Sequence, residues 1–398
     1  MNVVFLSPHF PTHFYNFCQR LKERGVNVLG IGDASWEAIG DNCRNALTAY
    51  KAVKSLEDYD AVYKAFADYI YNYGRIDYVE SENEYWLTLE ARLRTDFNIP
   101  NGPHVDQLDV MNHKSLMKKA YKRAGIPTAK WIIPKTLEKA LEFAHKVDYP
   151  IVVKPDKGVG AATTYKLKSD AELENFWSTK DPEVTFIEEE CVPGHVETFD
   201  GITDSKLNVL FAASQRLFVS PMDAVNLDSD VVSFCQAPPQ DLEEAGKKLL
   251  KEYDIRNRFF HFEFFRLDED KKGLGHKGDI IGLEVNMRCP GGRIPDKMNY
   301  AYDTDVYTIW ADSLIHDKCF MNSEFKHYII HVGRKNSRTY AFSQEQVRER
   351  WGRCIMEEMD VPLALASGMG NHAYLLRADS AEERDEVVEF ILRKAEGK

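Results

Sequence analysis

Two apolar stretches near the two-thirds point constrain the fold most tightly. FFHFEFFRL at 259–267 and DIIGLEVNMRCPGG at 279–292 flank a charged, Gly-containing connector. Each reads as a β-strand, and together they read as a hairpin. A strand presents alternate residues to opposite faces. Glu284, Asn286 and Arg288 therefore share one face, and Ile281, Leu283 and Val285 take the apolar one. With Glu263 on the first strand, two carboxylates, an amide and a guanidinium sit on a sheet otherwise built for burial. That set costs desolvation and repulsion unless something compensates. A divalent cation carrying phosphate oxygens is the natural compensation, because Mg2+ takes oxygen ligands and shares its shell with nucleotide phosphates.

The chain around this hairpin has 398 residues, enough for two or three domains. Residues 1–111 alternate strands (2–7, 27–32, 76–81) with helices (14–25, 56–73, 86–95), the pattern of a parallel α/β domain. A second domain is expected over 112–318. It opens with a helix at 112–125, continues through a small α/β module at about 116–195, and becomes β-rich over 196–300, with a helix at 240–253. Residues 319–398 read as an appended α+β lobe, so the fold class is mixed α/β and α+β.

Composition excludes several roles. Basic residues number 51 against 63 acidic, a net charge of −12, which argues against a nucleic-acid partner. The seven cysteines are scattered without a CxxC pair, as suits reduced thiols. Met1 runs into NVVFLS with no basic or apolar leader, and no apolar run approaches ~20 residues. The expectation is a cytoplasmic chain with no membrane partner.

Further motifs carry chemistry. Lys154 lies in PIVVKPDKGVGAATT, where a strand delivers a lysine into a loop holding Gly158 and Gly160. Glycines let backbone N–H groups approach phosphate oxygens, and the ammonium adds a point charge. Lys114 falls in the first turn of its helix, against the helix dipole, a mildly unfavourable placement. EEECVPGHVE at 188–197 ends a strand in a Pro-Gly turn followed by Glu197. Backbone at such a strand end can read a base, and a carboxylate can accept from ribose hydroxyls. Glu80, Glu82 and Glu84 follow a strand of the first domain, where a parallel sheet binds ligands at its carboxyl end. Taken singly, each has a bland reading: a surface lysine before a turn, a solvated acidic edge, a solvated loop. GLGHKG at 273–278 matches GxGxxG but is flanked by strands and is a turn. Cys191 and Cys289 have no partner that marks a nucleophile, and His9, His13 and His113 lack metal-ligand spacing.

The order of these motifs is more specific than any one of them. Helix lysine, strand lysine with Gly loop, acidic strand end with PGHVE, then Glu263 and GLEVNMR: the chain resembles the ATP-grasp superfamily, in its carboxylate–amine ligase and biotin-carboxylase-like branch. The resemblance covers roughly 1–315. It implies an ATP-grasp fold with an N-terminal α/β domain, a lid at about 116–195 and a β-rich ATP-binding part. It implies Lys114 and Lys154 as phosphate lysines and the loop around Gly158 and Gly160 as the flap. Glu189, Glu190 and Val192 would lie at adenine, in a register open by one residue, and Glu197 at ribose. Glu263, Glu284 and Asn286 would hold Mg2+ (or Mn2+), and Arg288 would face an acyl phosphate. Arg293 and Glu84 are weaker candidates for substrate contacts. The flap departs from the family pattern in Ala161, Ala162, Thr163 and Thr164, which suggests a stiffer closure. The expected activity is ADP-forming ligation of a small carboxylate to an amine, with a homodimer left open. Alternatives are a biotin- or bicarbonate-dependent carboxylase relative and a non-catalytic ATP-binding regulator. No biotin site or biotinyl-carrier segment can be mapped.

Overall fold

The computed structural model describes residues 1–158, 163–218 and 229–395. Strands β1 (Asn2–Leu6), β2 (Asn27–Gly32), β3 (Ala49–Ala52) and β4 (Tyr78–Glu80) form a parallel sheet in the order β3-β2-β1-β4. Its centre is apolar on both faces because helices cover both. Val3 and Phe5 pack with Phe17 and Leu21 of helix Tyr15–Glu23, whereas Val4 and Leu6 pack with Phe66 and Tyr69 of helix Tyr59–Tyr73.

A smaller antiparallel sheet follows. Strands β5 (Trp131–Ile132), β6 (Ile151–Pro155), β7 (Tyr165–Leu167) and β8 (Phe186–Glu190) run in the order β5-β8-β6-β7. Helices Leu137–Val147 and Asp170–Thr179 bury their apolar stripes against it. Thr136 and Ser169 cap them, accepting from Lys139 N and Glu172 N.

The largest sheet is antiparallel. Strands β9 (Gly194–Thr203), β10 (Val209–Leu217), β11 (Val231–Gln236), β12 (Phe259–Leu267), β13 (Ile280–Asn286), β14 (Tyr328–Arg334), β15 (Ile355–Asp360) and β16 (His372–Ala378) lie in the order β13-β12-β9-β10-β11-β14-β16-β15. The C-terminal strands therefore do not build a sheet of their own. Ile329–Gly333 of β14 pair with Val231–Cys235 of β11 and extend the central sheet, which gives β11 a second hydrogen-bonded neighbour.

One face of the central sheet is sealed by helix Gln240–Tyr253, whose Leu242 and Leu249 join a cluster with Phe199, Phe260, Phe262 and Phe264. The approach is close at Gly246: a Cβ there would lie 2.0 Å from Phe199 Cδ1. Gly246→Ala is expected to destabilise the fold by about 1–3 kcal/mol, measured by chemical denaturation, since the ring has no space to retreat. The opposite face is apolar where helices Ile294–Tyr302 and Val306–His316 cover Ile202, Phe211 and Ile329. It is polar where Thr198, Asp200, His261 and Glu263 emerge.

Candidate active site

The expected hairpin forms, and its register brings the two carboxylates together. Glu263 of β12 stands directly opposite Glu284 of β13, and His261 opposite Asn286, so all four share a face. A bulge follows between Glu263 and Phe264 and ends the simple alternation there. The hairpin backbone is held from behind by Tyr121, whose hydroxyl donates to Glu284 O at 2.9 Å and to Glu263 O at 3.2 Å. Only glycine at 282 admits that ring, because a Cβ would fall 2.4 Å from Tyr121 Cδ1.

The electrostatics of the pair are unequal. Burial by itself would raise Glu263, but the hydrogen bond and charge of His261, with Arg288 and Lys154, carry it below the ordinary carboxylate range. Glu284 has no hydrogen-bonded cation among the described residues; burial raises it and Glu263 raises it further, and together these outweigh the charges of Lys114 and Lys154. His261 joins Asp200 at 2.6 Å and Glu263 at 3.1 Å, and those charges outweigh its burial and push the imidazole to about 10. Glu284, half-buried, is thus the member of the pair that forms no ion pair among the described residues. Two carboxylates and an amide on one face are an all-oxygen donor set that fits Mg2+ or Mn2+.

The lysines approach from the lid. Lys114 opens helix Lys114–Arg123, and its Nζ donates to Gly158 O at 2.9 Å. Its unfavourable place on the helix dipole is offset by Asp156, which accepts from Ser115 N at 2.8 Å and from Ser115 Oγ at 2.9 Å. Lys154, on β6, lies 3.2 Å from Glu189, and Lys118 lies 3.2 Å from the other oxygen of the same carboxylate. Burial would raise Glu189, but the two lysines bring it below the usual range. Lys118 was missed in the sequence; the signal available was its i+4 spacing from Lys114, which places both on one helix face. Gly158 has φ +139°, a conformation reserved for glycine. Gly160 lies outside the described residues.

The acidic run at 188–190 splits by strand alternation. Glu189 turns to the lysines, whereas Glu190 accepts from Lys130 N at 2.7 Å and lies 3.7 Å from Lys271 Nζ. Glu188 accepts from Trp177 Nε1 at 3.3 Å, and burial lifts it to about 7. The backbone N–H of Glu190 is already committed to Lys130 O, and Val192 stands in the loop between β8 and β9. Glu197 is held by Arg266 Nε at 2.7 Å and His195 Nε2 at 3.3 Å.

Past the hairpin, the first domain closes the site. Arg288 bonds to the Glu84 carboxylate and donates to Cys289 O. Arg293 is taken up by Glu357, at 2.5 Å, and Asp296, at 2.6 Å. Glu82, only 1 % exposed and in left-handed backbone at φ 53°, accepts from Cys289 N at 2.6 Å. Its other oxygen has no hydrogen-bond partner among the described residues, and burial pushes its carboxyl to about 8. A carboxyl raised in the folded state stabilises fully below its unfolded value and loses that contribution as pH climbs through the folded one. Stability should therefore fall between about pH 4.5 and 8 by a contribution that Glu82→Gln removes, on the order of a few kcal/mol, read from denaturation midpoints across that range.

Among the described residues no helix is long and apolar enough to cross a membrane.

Residues 113–253 match the family model described as "Carbamoyl-phosphate synthase L chain, ATP binding domain". The chain is 26% identical over 257 residues to an L-arginine-specific L-amino acid ligase of Bacillus subtilis, a match that covers 61% of this chain and 57% of that relative. Among solved structures, an L-amino acid ligase from Bacillus licheniformis superposes with a TM-score of 0.68 at 15% identity, covering 98% of this chain and 96% of the other. The biotin carboxylase domain of Hydrogenobacter thermophilus 2-oxoglutarate carboxylase, solved with MgADP and bicarbonate, gives 0.68 at 15% identity over 95% and 86%. The matched ATP-binding segment carries Lys114, Lys154 and the acidic strand end, and the whole chain follows the fold of these structures. Residues 113–253 thus match an ATP-binding domain model, and the chain as a whole shares the fold of the L-amino acid ligase and biotin carboxylase structures.

Proposed function

We propose that this chain is an ATP-dependent carboxylate–amine ligase that forms an amide through an acyl phosphate. The observation that carries the reading is the juxtaposition of Glu263 and Glu284 on one face of the hairpin, within the field of Lys114 and Lys154. The carboxylate substrate attacks the γ-phosphorus, ADP leaves, and the amine then attacks the acyl carbon, expels phosphate and gives up a proton. Lys114, Lys154 and Lys118 bind phosphate oxygens, with Gly158 in the flap beside them. Backbone of the 189–192 segment faces adenine and Glu197 faces ribose. Glu263, Glu284 and Asn286 would hold Mg2+ or Mn2+, which would supply charge neutralisation to the phosphoryl group being transferred. Arg288, exchanging Glu84 for the acyl phosphate, stabilises the charge that develops there, and Arg293 is a further candidate contact for the acid. No side chain acts as a covalent nucleophile; positioning and charge supply the rate. The chain acts on small molecules, in the cytoplasm.

The test is a phosphate-release screen over carboxylate and amine pairs, with mass spectrometry of the product. An amide with one ADP and one phosphate per turnover is expected. Release that needs bicarbonate in place of an amine would move the chain to the carboxylase reading.

A further inference from the structure

The polar face that carries Glu263 continues beyond the carboxylate pair. Glu263 of β12 stands opposite Thr198 of β9, Thr198 Oγ1 accepts from Gln215 N of β10 at 2.9 Å, and Gln215 pairs with Cys235 of β11. Two residues along β11, Ser233 pairs with His331 of β14. Helix Ile294–Tyr302 packs over β11 and β14 and brings Lys297 onto this surface, where its Nζ donates to Ser233 Oγ at 2.9 Å.

Two features there are not explained by packing. Lys297 is 3 % exposed, and among the described residues it forms no ion pair. The nearby carboxylate of Asp200 is spent on His261 and Thr198. An ammonium has donors to spare beyond the one bond to Ser233. Gln215 is wholly buried; its amide meets the Cys235 thiol, a weak partner, and neither amide atom has a nitrogen or oxygen partner among the described residues. A buried cation and a buried amide left in this way are costly, and an anionic ligand would satisfy both. His331 does not compete for that ligand. Burial, and then Lys297, hold its imidazole down to about 4, and its Nε2 donates to Met369 O.

Position then decides which anion. The register from Glu263 crosses β9 and β10 to β11, three spacings of about 4.8 Å, and Ser233 lies two residues further along β11, so the two are roughly 16 Å apart on the sheet. The reacting carboxylate must meet the γ-phosphate beside Glu263 and Glu284, so an anion on Lys297 is a different group. We propose that Lys297, with Gln215, anchors a second carboxylate of the acid substrate, which makes that substrate a dicarboxylic acid or an amino acid with an acidic side chain. The assignment rests on the ligase reading for the identity of the first carboxylate.

The experiment compares wild type with Lys297→Met, Lys297→Arg and Gln215→Leu. Phosphate release is scanned over dicarboxylic acids, acidic amino acids and their monoamides, each with a pool of amines. Diacids should be preferred to their monoamides. Lys297→Met should raise KM for the acid by about 10- to 100-fold, in keeping with a lost charge-assisted hydrogen bond, while KM for ATP stays within about twofold. Lys297→Arg should recover part of the loss, and Gln215→Leu should raise the same KM less. Preference for monoamides, or an unchanged KM for the acid in Lys297→Met, overturns the assignment and leaves the ligase reading standing. If no pair releases phosphate, the ligase reading fails and binding alone decides the site. Glutarate should then raise the wild-type melting temperature more than its monoamide does, and Lys297→Arg should keep that difference. Equal shifts for the two ligands overturn the site.

Discussion

Glu284→Gln is expected to lower ADP production by about 10²- to 10³-fold or more, while the protein melts no lower than wild type. The two outcomes have one cause. Glu284 is raised by burial and by the facing Glu263, which outweigh Lys114 and Lys154, so its negative charge is a burden to the fold. An amide of the same shape removes the repulsion and leaves the hairpin and its Tyr121 support in place. The same change removes half of the carboxylate pair that would bind the cation. Stability held or gained while turnover is lost is the pattern of a charge kept for function at the expense of the fold. Near-normal ADP production by the variant, with its true substrates present, would remove Glu284 from the metal site.

Arg258→Leu is expected to cost about 3–5 kcal/mol of stability, read as a shift in denaturation midpoint. Arg258 leaves the start of β12 and enters the first domain, where it meets Glu80 at 2.7 Å and Glu90 at 3.4 Å. Arg94 lies 2.8 Å from Glu90 and 3.2 Å from Glu80, and all four side chains are buried. Two guanidinium groups thus neutralise two carboxylates, and Arg258 also donates to Met287 O, one residue before Arg288. Removing Arg258 leaves buried charge uncompensated. Removing Arg258 and Glu80 together should cost less than the two single changes added, because each exposes the other. A single variant within about 1 kcal/mol of wild type would show that solvent reaches the network.

Much of the fold is legible in local pattern, and the exceptions have a common origin. The hairpin, the parallel first domain and the GLGHKG turn follow from period and flanking context. Glu263 and Glu284 were readable as a pair because one short connector joins their strands. Contacts between distant elements were not readable. The Arg288–Glu84 pair joins residues 204 apart, and the union of β14 with β11 depends on a surface that local periodicity does not name. In the run Glu188–Glu189–Glu190, alternation says that one carboxylate differs from its neighbours. Which face it takes is set by Lys118 and Lys154 on other elements. Lys297 escaped notice because a lone lysine in an apolar helix reads as a solvated position until the sheet beneath it is in place.

The most direct test of the acyl phosphate is the fate of carboxylate oxygen. With the acid substrate labelled in both carboxylate oxygens with 18O, the phosphate released during ligation should carry one 18O per molecule, and ADP should be the only nucleotide product. Unlabelled phosphate, or AMP and pyrophosphate in place of ADP and phosphate, would contradict carboxylate attack on the γ-phosphorus.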